Sequence, residues 1–350
     1  MSNYSGYEKM AGSLKKLSSG RVALNDQDIS QLDKLKWVVT EKIHGANFSF
    51  SYDNNTLRYG KRKEYLSWAD DFFGFQLVVS QIEDQVTRLF EALSRNVKAD
   101  KYIIYGELFG GRYPHQDVAA VEDVQAIQTG VYYAPGIHFC AFDIAIEDSA
   151  SGRKDYLGYE TAINYFEQYE VQYARPLLIG KLNEATNFNP RINSAIPESL
   201  GLPPLADNLI EGVVIKPYNQ PLGNQMTARP IFKVKNAEFE EEKRFHEAQK
   251  WSFIPNVSSK TEELSFIFDE LKNYVNYNRL ESAVSKIGAL QFENQDRVRE
   301  LTEEVLRDTI ADFNENNDNL LKELSEDDRD WLKERTLSVI RKLIDDSRNR

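Results

Sequence analysis

The segment TEKIHGANFSF, residues 40–50, places a lysine, a histidine and a glycine between two stretches that have the pattern of β-strands. The apolar run WVV precedes the segment, and NFSF closes it. Taken alone, Lys42 indicates a solvated turn and Gly45 a turn that needs a small residue. His44 alone is equally compatible with a structural hydrogen bond and with a functional site. The meaning of the segment therefore depends on what surrounds it.

The composition is that of a globular chain: 350 residues, 41% hydrophobic and 28% charged, a length that favours two domains. The single cysteine, Cys140, excludes an internal disulfide and a cysteine-cluster metal site, which is typical of a reducing compartment. Neither a signal-peptide core nor a run of 18 apolar residues occurs, so we expect a cytoplasmic protein with no membrane partner. The net charge of −12 restricts any nucleic-acid partner to a local basic patch.

Residues 1–244 combine short strand patterns with two helical patterns, which predicts an α+β fold of antiparallel sheets with flanking helices. Apolar residues recur at helical spacing over residues 71–96 and 159–170. The strand patterns are rich in β-branched and aromatic residues and are bounded by turn formers. These patterns are KYIIYG (101–106), IHFCAFDIAI (137–146), GVVIKP (212–217) and IFKVKN (231–236).

Residues 245–350 have the pattern of an all-helical domain with three helices. Ser259 followed by Glu262 forms a capping-box pattern, and Gly288 predicts the end of this first helix. A second helix is predicted over residues 296–313, and the segment 325–328 begins a third. The domain contains 16 Lys and Arg against 23 Asp and Glu, so it is not a uniform phosphate-binding surface.

Five short polar elements lie at strand ends, and their residue types suit phosphate and metal chemistry. Glu107 and Glu211 each adjoin a glycine beside an apolar strand, where their carboxylates could hold a divalent cation. Lys233 and Lys235 are two apart on a strand, so both side chains leave the same face and could hold a phosphate. The elements are EKIHG (41–45), GKR (60–62), YGELFGG (105–111), EGVVIKP (211–217) and FKVKN (232–236).

Each element also has a simpler interpretation when it is taken alone. The two glutamates would be solvated turn residues, and the two lysines would be the wet face of an edge strand. Phe142 would be a core aromatic, because IHFCAFDIAI alternates and one face must be buried, or it would stack on a base. By the same alternation Asp143 is expected on the face opposite to Phe142, where it would serve the site or an arginine partner. The arrival of all five elements in one order favours a single site.

In this order, EKIHGAN, GKR, YGELFG, FCAFDI, EGVVIKP and FKVKN resemble the covalent nucleotidyltransferase superfamily of polynucleotide ligases and mRNA capping enzymes. EKIHGANFSF with the FKVKN ending is similar to the bacteriophage-type RNA ligase 2 family, which includes the kinetoplastid RNA-editing ligases. The resemblance covers about residues 36–240 and extends to the helical tail. It implies a nucleotidyltransferase (ATP-grasp-like ligase) domain over residues 1–244 and a helical domain over residues 245–350 that assists nicked-duplex binding.

The resemblance also implies roles for individual residues. Lys42 would attack the α-phosphorus of ATP to form a lysyl-AMP, while Lys233 and Lys235 grip the α-phosphate and Glu211 binds Mg²⁺ or Mn²⁺. Positive neighbours are expected to help the Lys42 amine lose its charge, and Gly45 to let the backbone pass close to the phosphates. The further ATP- or AMP-binding residues are Glu41, His44, Asn47, Arg62, Glu107, Phe142 and Asp143, with Phe142 stacking on adenine and Glu107 holding the ribose.

Arg62 resembles the residue that meets the ribose or the 5′-phosphate end, whereas Lys61 and Arg58 beside it are expected to be solvated. In the helical tail, phosphate binding would rest on a few basic residues such as Lys243, Arg244 and Lys260.

The implied function is that of a monomeric ATP-dependent RNA ligase in RNA repair, which seals nicks with 3′-OH and 5′-phosphate ends in duplex RNA or RNA/DNA hybrids. It acts by enzyme adenylation, AMP transfer to the 5′-phosphate, and attack by the 3′-OH with release of AMP. One alternative is an ATP-dependent DNA ligase or a capping-type nucleotidyltransferase, which nucleotide labelling would distinguish. A second alternative is a non-catalytic nucleic-acid-binding relative, which would require a broken motif, and none of the quoted motifs is broken.

Overall fold

The computed structural model describes residues 4–12, 31–148, 150–222, 229–241 and 251–348. The chain divides into two compact units, Met1–Val257 and Ser258–Arg350. The boundary that the sequence predicts between residues 244 and 245 lies outside the described residues. The first unit combines antiparallel sheets with helices and the described part of the second is helical, so the predicted α+β class followed by a helical region is confirmed.

Two antiparallel sheets form the first unit. One has four strands in the order β10-β9-β1-β8, and the other has six in the order β4-β3-β2-β5-β6-β7. The strands are β1 (Trp37–Glu41), β2 (Ala46–Asp53), β3 (Thr56–Lys61), β4 (Tyr65–Leu66), β5 (Lys101–Gly110), β6 (Ile137–Asp148), β7 (Arg153–Tyr156), β8 (Pro176–Gly180), β9 (Gly212–Pro217) and β10 (Phe232–Lys235). The turn that contains Lys42 leads from β1 in one sheet to β2 in the other.

The two longer helices described in the first unit pack apolar faces into its core. Helix α1 packs Val79, Val86 and Phe90 into the core beneath the six-stranded sheet. The predicted helices over residues 71–96 and 159–170 are found as α1 and α2. Helix α1 begins four residues later than predicted, and α2 ends two residues earlier. The helices are α1 (Phe75–Asn96), α2 (Tyr159–Gln168), α3 (Leu182–Thr186), α4 (Ile196–Ser199) and α5 (Ala237–Glu241).

Strand β10 separates apolar from basic side chains, as the sequence predicts. Phe232 and Val234 pack with Trp37 in the core of the four-stranded sheet. The alternating residues Lys233 and Lys235 leave the other face, where Lys233 lines a cavity and Lys235 meets a buried carboxylate. The shared face of the two lysines is therefore confirmed.

Strand β6 does not alternate throughout, because it contains a β-bulge. Tyr105 of β5 pairs with Asp143, and the next residue of β5 pairs with Ala141, so Phe142 is an additional residue in β6. Ala141 and Ile144 both enter the core, which leaves Phe142 and Asp143 together on the other face. The expectation that Asp143 lies opposite to Phe142 is wrong for this reason.

The described helices of the second unit begin at side-chain caps, except for the short helix Leu320–Glu323. The Ser259 hydroxyl accepts a hydrogen bond from the Glu262 amide at 3.2 Å, as the capping-box pattern predicts. The predicted first helix is two helices, because Asn276 caps a new one by accepting from the Arg279 amide at 3.1 Å, and Gly288 ends that second helix. The helices are α6 (Lys260–Tyr274), α7 (Tyr277–Ile287), α8 (Gln295–Asn316), α9 (Leu320–Glu323) and α10 (Glu326–Ser347).

Candidate active site

A cavity of about 540 Å³ lies in the first unit, beside the end of β1. Its walls come from the turn after β1, the turn after β3, the strands β5, β6, β9 and β10, and the N-terminal segment 7–10. The cavity has a size that suits a nucleotide. Seven of the eleven predicted site residues line it, namely Glu41, Lys42, Asn47, Arg62, Glu107, Phe142 and Lys233.

Glu211 holds the basic side chains of the site together. Its Oε2 lies 2.5 Å from the Lys42 Nζ, and its Oε1 lies 2.7 Å from the Lys235 Nζ. Glu211 is 2% exposed and Lys42 is 18% exposed, so the carboxylate is buried while the lysine amine reaches the cavity. The backbone supports this arrangement, because the Lys42 amide donates to the Gly212 carbonyl at 2.9 Å. The sequence elements EKIHG, EGVVIKP and FKVKN therefore converge on one carboxylate.

His44 is a third partner of Glu211 and lies beneath the cavity. Its Nδ1 is 3.1 Å from the Glu211 Oε2, and its Nε2 is 3.1 Å from the Thr129 carbonyl oxygen. Both neighbours are acceptors, so both ring nitrogens donate only when the ring carries two protons. His44 is buried, and its contact holds the Glu211 carboxylate in position.

The pKa values of the site follow from burial and from this crowding of charges. Burial alone would raise the pKa of Glu211, but the hydrogen bond from His44 and the charge of Lys42 hold it well below its usual range. Burial, followed by the charges of Lys42 and Lys235, lowers the pKa of Lys233. Burial raises the pKa of Glu107 to about 8, against the charge of Lys42. One carboxylate of the site is therefore held ionised, and another is easily protonated.

Glu41 is buried at the inner end of the cavity. Its Oε2 accepts a hydrogen bond from the Ser194 hydroxyl at 3.0 Å, and its Oε1 has no partner among the described residues. Burial raises the pKa of Glu41 to about 8, against the hydrogen bonds of Ser194 and Tyr133. A carboxyl group with one free oxygen in this position can exchange hydrogen bonds with a polar ligand.

Gly45 permits a close approach of the turn after β1 to strand β5. A Cβ atom at Gly45 would lie 2.0 Å from the Leu108 carbonyl oxygen and 3.0 Å from the Glu107 Cγ. The glycine therefore brings the turn against β5 and places Glu107 near Lys42. Gly45 also lines the cavity, and the expectation that it lets the backbone pass close to the phosphates stays a prediction.

Phe142 and Asp143 belong to a buried network behind the cavity. The Lys216 Nζ donates to the Phe142 carbonyl oxygen and lies 3.0 Å from the Asp143 Oδ1. Arg229 contacts the same oxygen at 2.8 Å, and the Tyr7 hydroxyl donates to the Asp143 Oδ2 at 2.6 Å. Asp143 therefore has the arginine partner that the sequence left open, and it does not line the cavity.

The carboxylates of the site fit a divalent cation of the magnesium type. Glu107 and Glu211 offer carboxylate oxygens close to the Lys42 amine, and the buried Asn47 Oδ1 has no partner among the described residues. Among those residues, no group of three or more His, Cys, Asp or Glu could hold a metal ion by itself. Mg²⁺ and Mn²⁺ are commonly held by one or two carboxylates together with phosphate oxygens and water, so Glu107 and Glu211 are the residues that would hold such an ion.

Several cavity residues have no signal in the sequence. Tyr7, Lys9 and Met10 come from the N-terminal segment, which contains no strand or helix pattern. Lys216 also lines the cavity, and its place in the motif EGVVIKP could have identified it. Lys61 lines the cavity and pairs with Glu64 at 2.8 Å, so it is not simply solvated as expected. Arg58, which the sequence also suggested would be solvated, pairs with Asp53 at 2.8 Å.

A strand-end lysine in a nucleotide-sized cavity, between two antiparallel sheets and beside two further lysines, defines the class of covalent nucleotidyltransferases. Comparison with family models gives the family. Residues 35–235 match the RNA ligase model and residues 258–342 match the model of the T4 RNA ligase 2 C-terminal domain. The chain belongs to the T4 RNA ligase 2 type of the RNA ligase family, and its enzyme class is that of an ATP-dependent RNA ligase. ATP as substrate and a divalent cation as cofactor fit this family.

Individual relatives agree with the family. The chain is 28% identical to mitochondrial RNA-editing ligase 2 of Trypanosoma brucei brucei over 79% of this chain and 77% of that protein. It is 28% identical to mitochondrial RNA-editing ligase 1 of the same organism over 74% of this chain and 66% of that protein. The chain therefore spans slightly less than two thirds of the second relative.

Solved structures show partial similarity. An RNA ligase of Naegleria gruberi, solved with ATP and manganese, is 17% identical and has a TM-score of 0.42, with 68% of this chain and 59% of that chain covered. An archaeal ATP-dependent RNA ligase is 15% identical and has a TM-score of 0.39, with 87% and 64% covered. Within the described part of this chain, no helix is both long and apolar enough to cross a lipid bilayer.

Proposed function

We propose that the protein seals nicks with 3′-OH and 5′-phosphate ends in duplex RNA or RNA/DNA hybrids, through a covalent lysyl-AMP on Lys42. The observation that carries the proposal is the position of the Lys42 amine, which faces a cavity of nucleotide size and shares the carboxylate of Glu211 with Lys235. This arrangement places a nucleophile and phosphate-binding charges together.

In the first step, the Lys42 Nζ forms a bond to the α-phosphorus of ATP, and the bond from that phosphorus to the bridging oxygen breaks. Only the uncharged amine can attack, so the Lys42–Glu211 ion pair must open before the step. Lys233 and Lys235 then neutralise the α-phosphate oxygens, because both side chains leave β10 on the face of the site. A divalent cation held by Glu211 would supply further neutralisation of the phosphates.

The nucleoside would occupy the inner part of the cavity. Phe142 presents a ring for the adenine, Glu41 offers its unpartnered oxygen to the base, and Glu107 lies where it can accept from the ribose. His44 holds Glu211 in place, and Asn47 lies beside Glu107 in the pairing of β2 with β5. Asp143 supports Phe142 from behind rather than touching the nucleotide.

Nick sealing would follow in two further steps. The AMP passes from Lys42 to the 5′-phosphate of the nick, and the 3′-OH then attacks that phosphate and releases AMP. Arg62, at the turn after β3, lines the cavity and can bind the 5′-phosphate. These steps need the duplex to be held next to the cavity.

We assign the grip on the duplex to the second unit. Of the basic residues that the sequence suggests for this role, Lys260 lies 3.7 Å from Asp328 in a loose ion pair. Lys243 and Arg244 lie outside the described residues. A chain of residues 1–257 that is folded by circular dichroism should form lysyl-AMP and seal nicks poorly. Sealing at the full-length rate would contradict this assignment.

The protein would act as a monomer in RNA repair, with no membrane partner, and we keep the cytoplasm as its proposed location. The trypanosome relatives are named as mitochondrial, so the location needs a direct test. Fractionation of cells that express the tagged chain would give it, and recovery in an organelle fraction would contradict a cytoplasmic site.

The decisive experiment is adenylation. The protein is incubated with magnesium and α-labelled ATP, and we expect a covalent label that survives alkali and is released by acid, as a lysine phosphoramidate is. Lys42→Ala should lack this label, and the exposed control Lys34→Ala should keep it. GTP should give no label, which separates this function from that of a capping-type nucleotidyltransferase. Nicks with an RNA or a DNA 3′-OH strand then separate RNA ligase from DNA ligase activity. A label on Lys42→Ala equal to that of the unaltered protein would overturn the proposal.

A further inference from the structure

The N-terminal segment Tyr4–Ala11 is fixed to the first unit on both sides of the cavity. Glu8 pairs with Arg229 at 2.9 Å, and the Tyr7 hydroxyl reaches Asp143. At the other end, the Ala11 carbonyl accepts from the Lys233 amide at 3.0 Å, in a parallel bridge between Ala11 and Phe232. The residues between these anchors are therefore held in place.

Lys9 lies between the two anchors, and its side chain is exposed at the cavity. The ring of Tyr7, two residues before it, lies 4.9 Å from the ring of Phe142 at the base end. Ala11, two residues after it, contacts the strand that carries Lys233 at the phosphate end. Lys9 is therefore positioned along the path from the base to the phosphates, on the open side of the cavity.

Several cations lie in or beside the cavity, and most of them already have a partner or a proposed role. Lys42 and Lys235 share Glu211, and Lys61 pairs with Glu64. Lys233 lies beside them on β10 and serves the α-phosphate. Arg62 and the exposed Lys63 line the cavity at the turn after β3, where Arg62 is assigned to the 5′-phosphate of the nick. The outer two phosphates carry most of the negative charge of ATP, and they need a cation nearer to the opening of the cavity. Glu8, the anion next to Lys9, is already paired with Arg229.

We propose that Lys9 binds the β- and γ-phosphates of ATP and thus the pyrophosphate that leaves. This inference rests on the proposed function. When Nζ of Lys42 bonds to the α-phosphorus, the electrons of the broken P–O bond remain on pyrophosphate, and Lys9 stabilises that charge. The same contact binds pyrophosphate in the reverse reaction, which converts lysyl-AMP and pyrophosphate back to ATP. AMP transfer and nick closure release no pyrophosphate, so they do not need Lys9.

The test compares Lys9→Ala, Lys9→Arg and the matched control Lys34→Ala, an exposed lysine that does not line this cavity. Three quantities are measured: the ATP concentration for half-maximal adenylation, the pyrophosphate concentration for half-maximal discharge of lysyl-AMP, and the sealing rate of a nick that is already adenylated. For Lys9→Ala we expect the first two to rise about tenfold, as loss of one charge-assisted contact would give, while the third is unchanged. Lys9→Arg should restore most of the loss.

Equal values for Lys9→Ala and Lys34→Ala would overturn the inference and leave the proposed function standing. A loss confined to sealing of the adenylated nick would also overturn it, since Lys9 would then contact RNA. A loss of equal size in all three measurements would do the same, because it would indicate a general effect on the cavity. If the unaltered protein forms no lysyl-AMP with ATP and magnesium, the proposed function fails and this inference fails with it.

Discussion

An ion cluster of the first unit and an ion pair of the second unit use charge in opposite ways. In the first unit, the buried carboxylate of Glu211 meets Lys42, Lys235 and His44 with 2% of its side chain exposed. In the second unit, Arg299 and Asp296 form a pair within one helix turn while 70% and 80% of their side chains remain exposed. Buried charges depend on their partners because they have lost water, whereas exposed ones exchange a partner for water at little cost. The difference teaches that the position of an ion pair matters more than the number of pairs.

Removing the charge of Glu211 should have the largest effect. Glu211→Gln leaves Lys42 and Lys235 without their shared carboxylate, so we expect a loss of about 4 kcal/mol in the free energy of unfolding. We also expect adenylation to fall by at least about 100-fold, because the phosphate-binding charges lose their common partner. Urea unfolding and labelling with α-labelled ATP measure the two effects. Glu160→Gln, an exposed carboxylate at the start of α2, is the control, and equal results for both variants would contradict the comparison.

Substitution of Asp143, which lies behind the cavity, should also show that a buried charge depends on its partners. Burial would raise its pKa, but Arg229 and Lys216 hold that pKa below its usual range. Asp143→Asn should therefore lower the free energy of unfolding by about 3 kcal/mol and weaken ATP binding through Phe142. Chemical denaturation and the ATP dependence of adenylation measure these changes. The control is Asp155→Asn on β7, whose partner Arg153 is more exposed than Arg229. A larger loss for Asp155→Asn would show that burial is not what decides.

Glu41 should make the free energy of unfolding depend on pH, and its raised pKa fixes the sign of that dependence. Its pKa rises from the ordinary 4.5 to about 8 in the folded chain, so unfolding between these values releases a proton and stability falls as pH rises. Glu41→Gln removes this contribution, and the slope of the unfolding free energy against pH should become less negative by up to about 1.4 kcal/mol per pH unit. Denaturation at several pH values between 5 and 8 measures the slope. An unchanged slope would mean that Glu41 ionises normally in the folded protein.

The exposed pair of the second unit should have the smallest effect. Arg299→Gln breaks the pair with Asp296, and we expect the melting temperature to stay within about 1 °C because both groups are well hydrated. Thermal unfolding followed by circular dichroism measures the change. A decrease comparable to that of Asp143→Asn would remove the distinction between the two units.

Much of the site was predictable because its residues follow simple periods. Lys233 and Lys235 share a face since side chains alternate along a strand, and this required only the strand itself. Ser259 and Glu262 likewise predict a helix start through a local hydrogen bond. The predicted roles of these and the other site residues remain proposals that the variants above can test.

Features that depend on distant partners were not predictable. The bulge in β6 is set by its pairing with β5, so alternation alone placed Asp143 on the wrong face. Gly45 lies against the backbone of Leu108, which is more than 60 residues away in the sequence. Asn276 divides the first helix of the second unit because its side chain caps a new one, and a hydrophobic stripe that continues past it conceals the break. Tyr7 and Lys9 reach the cavity through a segment without regular structure.

The bulge at Phe142 adds a residue that lines the cavity and is not needed for the pairing of β5 with β6. Deleting Phe142 would restore strict alternation between Ala141 and Ile144, so the core side chains would keep their places and the sheet would close normally. The cavity would nevertheless lose one of its aromatic rings, leaving Tyr7 and Phe72, and the buried Lys216 amine would lose a carbonyl partner. The additional residue in β6 therefore serves the cavity and the network behind it rather than the pairing of the sheet.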